Sequence, residues 1–177
     1  MMTTKFFINT IAPENQQNRC RYKATLDFIR DLHGEVLDCG ERNPINAQIE
    51  EKFHVLLSST KGDLDVIELP LRYDFITCFE VLEHLMNPLW FLTQARRALK
   101  QEGILYLSTP INKPKFLWRD DHFHEFDEMR LYALLERAGF EVVRAKRARC
   151  YRLTGIRPII RYLCKTGTLL LELKPKT

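Results

Sequence analysis

The stretch "YDFITCFEVLEHLMNPLWFLTQARRALKQEGILYLSTP", Tyr73 to Pro110, decides the fold class. It opens with an apolar, β-branched and aromatic run, "YDFITCF", of strand length. It closes with a second such run, "ILYLSTP", ended by a proline. Between them "NPLWFLTQARRALK" reads as a helix, with Asn87 as N-cap, Pro88 in the first turn where a missing N–H costs nothing, and Gly103 as its stop. Strand, helix and strand in this order make a crossover unit of a parallel sheet.

Working outward, the same alternation recurs. Residues from about Glu14 to Leu32 read as a helix, with Ala24, Phe28 and Leu32 at intervals of four, and Gly34 after it. "EVLD" is a short strand, "PINAQIEEKF" a helix with Ile45, Ile49 and Phe53 on one face, and "HVLLSS" a strand. Asn43 before a proline is pushed to extended backbone, as an N-cap requires, and Pro44 suits the first helical position. After Pro110, "DEMRLYALLERAGF" is a helix capped by Asp127, with Leu131, Leu134, Leu135 and Ala138 inward and Gly139 at its last turn. "EVVRAKRARC" and "TLLLELK" are strands, with a helical piece from Gly155 to Cys164 between them. The expected architecture is one α/β domain, 1–177, a doubly wound sheet covered by helices on both faces, with 1–33 as an N-terminal helical segment. Ligands of such sheets sit beyond the carboxyl ends of the strands, here Asp38 to Asn43, Ser58 to Asp65 and Cys78 to His84. The span from Thr60 to Tyr73 is too short for a helix plus a further strand, so the sheet is trimmed at that edge.

The chain has 177 residues, 45% apolar and 28% charged, which suits a soluble domain and excludes a disordered one. No apolar run reaches membrane-spanning length and no secretory leader is expected, which points to the cytoplasm. The five cysteines, Cys20, Cys39, Cys78, Cys150 and Cys164, are scattered, and we expect free thiols rather than a disulfide framework or a zinc site. Net charge is +4. Basic residues concentrate at 144–165, in Arg144, Lys146, Arg147, Arg149, Arg152, Arg157, Arg161 and Lys165, with no acid among them. Two readings stay open: a solvated face, which is favoured, or a surface for nucleic acid or another phosphorylated partner.

The quoted stretch, with "HFHEF" after it, resembles the class I S-adenosylmethionine-dependent methyltransferases, nearest to quinone-biosynthesis O-methyltransferases and small-RNA 3′-end methyltransferases. The resemblance spans roughly Gly34 to Lys174. It implies a Rossmann-like sheet of six or seven strands with the last strand antiparallel, trimmed at the strand-3 edge, and a methyl donor over the strand ends. Asp38 and Gly40 match the family's acid and first glycine, whereas Arg42 and Pro44 stand where its second and third glycines fall. Glu41 and Arg42 then crowd the loop mouth, where they either contact a ligand or plug the site. The family's ribose-binding acid at the end of the second strand is replaced by Ser58, Ser59 and Thr60, leaving Asp63 or Asp65 to stand in. The backbone of Cys78, Phe79 and Glu80 is expected to approach the donor.

"EVLEH" puts Glu80, Glu83 and His84 at i, i+3 and i+4, on one face if helical. Two carboxylates and an imidazole can bind magnesium, manganese or zinc, and by the resemblance His122 completes the metal set, with His124 as substitute. The other reading is metal-free: these groups cap a turn or orient substrate, and His84, His122 or His124 is a general base. The aromatics of "KPKFLWRDDHFHEF" form either a lid or core. A methyltransferase acting on a small-molecule acceptor through a hydroxyl is the first expectation. A catalytically inactive binding or regulatory module of the same fold is the alternative.

Overall fold

The computed structural model describes residues 16–70, 72–151 and 156–176. In chain order the elements are α1 (Gln16–Phe28), β1 (Val36–Asp38), α2 (Pro44–Phe53), β2 (Leu57–Ser59), β3 (Tyr73–Phe79), α3 (Pro88–Ala98), β4 (Leu99–Ile111), α4 (Glu128–Arg137), β5 (Phe140–Ala148), α5 (Ile156–Leu163) and β6 (Gly167–Pro175). Short 3₁₀ turns at Leu82–His84 and Lys115–Leu117 follow β3 and β4. The six strands are ordered β2-β1-β3-β4-β6-β5. β1 pairs in parallel with β2 and β3, β3 with β4, and β6 runs antiparallel to both β4 and β5. This is the Rossmann-like sheet expected, six-stranded and ending at β2. Thr60 to Arg72 holds only a turn among its described residues, so no strand lies outside β2.

Alternation along the strands divides the core. Leu37, Ile76, Leu105, Leu107 and Leu171 point to one face and pack with α3 and α4 through Phe91, Leu92, Leu131 and Leu135. Val36, Phe75, Tyr106 and Leu170 point to the other, with Phe28, Ile45 and Ile49 of α1 and α2. Period-two burial on both faces is what a sheet covered on both sides demands.

Both expected caps form: Asn43 has extended backbone and accepts from Ile45 N, and Asn87 accepts from Trp90 N. Other expectations need correction. α1 ends at Phe28 rather than Leu32, since Leu32 enters the core from an irregular segment; Glu14 lies outside the described residues. "HVLLSS" gives strand only at Leu57–Ser59, because the short β1 offers three partners. Gly103 does not stop α3. The chain passes straight from Ala98 into β4, and Gly103 lies within that strand, where a Cβ would come 3.0 Å from Lys100 O. Gly155 lies outside the described residues.

The free-thiol expectation is overturned for one pair. Cys20 of α1 and Cys150 after β5 form a disulfide, with Cα atoms 5.6 Å apart. They are 130 residues apart in sequence, and only the docking of α1 beside the end of β5 brings them together. Cys39, Cys78 and Cys164 are free. Among the described residues no helix is long and apolar enough to cross a membrane.

Candidate active site

Strand order reverses between β2 and β3 on either side of β1, so a crevice opens above the carboxyl ends of β1 and β3. A cavity of about 640 Å³ lies beside it, over the ends of β3 and β4, and reaches the start of α2 through Asn43 and Ile45. Its floor includes Phe79, Glu80 and Ser108 at the ends of β3 and β4, and its roof is α1, through Asn18, Arg21 and Thr25.

The loop after β1 keeps its turn by local means. Gly40 has φ +119°, a region closed to side chains, and its N–H donates to Thr60 Oγ1 at 3.0 Å. Asn43 and Asn46 close a reciprocal capping box that starts α2. Arg42 is turned away from the cavity. Its guanidinium lies 3.0 and 2.5 Å from the two carboxylate oxygens of Glu50, and neither it nor Glu41 lines the cavity. Asp38 lies beneath the loop, 4% exposed, with Oδ1 accepting from Thr77 Oγ1 at 2.5 Å. Burial pushes its carboxyl up to about 6, against the Thr77 hydrogen bond.

Asp63 and Asp65 serve the backbone. Asp63 accepts from Asp65 N, and Asp65 accepts from Met86 N and Asn87 N just ahead of α3. Neither lines the cavity; Glu80 and Glu83 are the carboxylates that do. Cys78 is buried within β3 beneath the cavity floor.

"EVLEH" is not one helix. Glu80 has φ +57°, and only Leu82–His84 form a 3₁₀ turn. Glu80 is set against β4 and the roof: Ser108 Oγ donates to Oε1 at 3.0 Å and Arg21 Nη1 to Oε2 at 2.8 Å. Glu83 is 1% exposed and accepts from Thr109 Oγ1 at 2.9 Å. Burial, then the charge of Glu80, pushes its carboxyl up to about 8.

His84 Nδ1 donates to the carbonyl oxygen of Asp121 at 2.7 Å. A carbonyl only accepts, so Nδ1 carries a proton and, in the neutral ring, Nε2 holds the lone pair. The His122 ring crosses that of His84 at 4.7 Å between centroids. Burial, then the charge of Lys113, presses His122 down to about 3, so it is neutral. Arg119 pairs with Asp121 at 2.7 Å and holds that carboxyl down to about 2. His124 is outside this group: its ring stacks on Phe126 and its Nε2 is 3.4 Å from Met86 O. Phe116, Trp118 and Phe123 are exposed rather than core, on the loop that also gives the cavity Leu117, Arg119 and His122.

Glu83, His84 and His122 each offer an atom within 4.8 Å of the others, the donor chemistry of a divalent cation. Two features do not fit one. Glu80 is engaged by Arg21 and Ser108, and the ammonium of Lys113 lies 3.0 Å from His122 Nδ1. Arg21, Ser108, Thr109, Lys113 and Glu125 were not legible as site residues. Arg21, Ser108 and Thr109 meet the cluster through long-range contacts, while Lys113 and Glu125 reach His122 from within its own loop.

The basic segment is partly neutralised. Arg144 pairs with Glu172 at 2.6 Å, Arg147 pairs with Glu128, and Arg149 and Arg161 lie over the rings of Tyr162 and Tyr151. Lys146 and Lys165 are exposed, and Arg152 lies outside the described residues.

A family model described as "Methyltransferase domain" matches residues 12–145. A ubiquinone biosynthesis O-methyltransferase of Dechloromonas aromatica strain RCB is 35% identical over 71 residues, covering 36% of this chain and 31% of that protein. A protein named "Probable S-adenosylmethionine-dependent methyltransferase", from Mycolicibacterium smegmatis, is 35% identical over 122 residues, 66% of this chain and 47% of its own length. The chain thus spans less than half the length of these two relatives. Among solved structures, an S-adenosylmethionine-dependent methyltransferase from Mesorhizobium loti is similar in fold, with a TM-score of 0.60, 13% identity, and coverage of 90% of this chain and 99% of that one.

Proposed function

Because the chain belongs to the class I S-adenosylmethionine-dependent methyltransferase family, we propose that it transfers a methyl group from S-adenosylmethionine to the hydroxyl oxygen of a small acceptor. The observation that carries this reading is the contact of His84 Nδ1 with Asp121 O, which leaves Nε2 as the free lone pair of the neutral ring, on the wall of the cavity above β3 and β4. The donor fits what is present. The volume lies within the usual range for small-molecule sites, about 300–1,000 Å³. Gly40 lets backbone approach, and the Glu50 pair keeps Arg42 out of the way. Arg21 and Glu80 would supply one cation and one anion for the polar groups of the donor.

When bound, the donor supplies an electrophilic methyl group whose carbon is open to in-line attack by an oxygen lone pair, the C–S bonding pair leaving with sulfur. The protein's part is positioning and proton removal. Asp121 O holds the His84 ring by Nδ1–H, so Nε2 accepts the hydroxyl proton as the O–C bond forms. Phe116, Trp118 and Phe123 give the rim an apolar character that favours an acceptor with a ring or hydrocarbon body. A second reading puts magnesium, manganese or zinc on Glu83, His84 and His122; their spacing favours it, Lys113 does not, and no step is drawn through a metal.

Tritium-labelled S-adenosylmethionine with a panel of phenols and catechols tests the reading. Label should reach a hydroxylated acceptor, and His84→Ala should cut the rate by about 10²–10⁴-fold while leaving donor binding intact. Donor binding with no transfer to oxygen, nitrogen or carbon acceptors would favour the binding module.

A further inference from the structure

This inference deepens the reading of the His84 wall as the acceptor end of the cavity and rests on it. Lys113 reaches the cluster from the segment after β4. Its Nζ is 3.0 Å from His122 Nδ1 and 3.4 and 3.3 Å from the two oxygens of Glu125. The three side chains are secluded, at 13%, 5% and 8% exposure for Lys113, His122 and Glu125. A secluded carboxylate needs a countercharge, and for Glu125 Lys113 provides it.

The contact with His122 has a stricter consequence. An ammonium has hydrogens and no lone pair, so toward a neutral imidazole it can only donate. His122 Nδ1 must then be bare and the ring proton must sit on Nε2. A ring nitrogen carrying a proton cannot ligate a metal. Glu125 Oε1 is also 3.1 Å from Nδ1, but the contact with hydrogen-bond geometry is the one from Lys113 Nζ at 3.0 Å, and Oε1 is taken up by Arg119 N and Lys113. His84 has the opposite arrangement, protonated on Nδ1 and bare on Nε2. The crossed rings, each with a nitrogen within 4.8 Å of one on the other, therefore offer one N–H and one lone pair.

We infer that Lys113 is the resident cation of this cluster: from the Nδ1 side of the ring it fixes His122 as an Nε2–H donor, which closes that nitrogen to a divalent metal and lets an acceptor hydroxyl be held between His122 and the bare nitrogen of His84. Lys113 is thus a positioning residue, acting through His122. Without it, Glu125 becomes the neighbour of Nδ1, draws the proton there, and bares Nε2 for a metal.

The test uses the full chain, labelled with ¹⁵N in its imidazoles and free of methyl donor, so its result is independent of donor binding. Long-range ¹H–¹⁵N spectra should show His122 protonated on Nε2 and His84 on Nδ1. Calorimetry with manganese or zinc should show no site tighter than about 100 μM. Lys113→Met should move the His122 proton to Nδ1 and strengthen metal binding by about tenfold or more. Lys113→Arg should keep the wild-type pattern. Wild-type His122 protonated on Nδ1, or a wild-type metal site tighter than that limit, overturns the inference, as does Lys113→Met leaving the tautomer unchanged. Should Lys113→Met not fold, the wild-type spectra and Lys113→Arg still decide.

Discussion

Arg21 Nη1 lies 2.8 Å from Glu80 Oε2, so an ion pair ties the helix over the cavity to the residue that follows β3. Glu80 is also the residue at which the backbone turns left-handed and leaves the sheet. The pair therefore couples the roof of the site to its floor.

If Arg21 also serves the donor, Arg21→Ala will weaken binding of S-adenosylmethionine by about tenfold, equivalent to ~1.4 kcal/mol. The fold will survive, because α1 keeps its apolar contacts through Phe28. Isothermal calorimetry on both proteins reads the difference; equal affinities would remove Arg21 from the donor site.

Gly40 is the one family glycine retained in the loop. Its φ of +119° is strained for any other residue, and a Cβ there would come 3.3 Å from Val81 Cγ2. Gly40→Ala should cost about 1–2 kcal/mol of stability and loosen donor binding. Urea melts give the first quantity. An unchanged midpoint would mean the turn is softer than its geometry implies.

Asp38 gives a pH signature. Its folded pKa, about 6, lies above the ordinary 3.8, so the native state binds its proton more tightly than the unfolded chain. Stability from that proton is full below about pH 4 and is lost as pH rises through 6. Asp38→Asn, which cannot ionise, should therefore gain stability over wild type at pH 7.5 and lose that advantage at pH 4.5. The expected gap is about 1–3 kcal/mol. A gap that does not change with pH would show that Asp38 is not desolvated.

The Cys20–Cys150 disulfide clamps α1 to the end of β5. Dithiothreitol should lower the stability of the wild type by about 2–4 kcal/mol and leave Cys20→Ser unaffected. Equal response of the two proteins would show that the bridge does not form in solution.

What sequence made legible was local. Asn87–Pro88 and Asn43–Pro44 start α3 and α2 because a cap and a proline act within one turn, and the β3–α3–β4 unit follows from periodicity alone. Gly103 misled because β4 starts before it, directly after α3. Glu80, Glu83 and His84 share one face only if helical; the positive φ of Glu80 splits them, sending Glu80 toward Arg21 and the other two toward His122. Arg21 comes from a distant segment, as does the cysteine bridge, and no local pattern carries such information; Lys113 stands at the head of the stretch that holds His122, but no helical or strand period links the two.

The central claim is that the cavity above β3 and β4 takes S-adenosylmethionine despite Arg42 and Pro44 in the neighbouring loop. Calorimetric titration with the donor and with S-adenosylhomocysteine tests it most directly. The account predicts saturable binding tighter than about 100 μM, weakened by Gly40→Ala and unaffected by Arg42→Ala. No heat at millimolar ligand would contradict it.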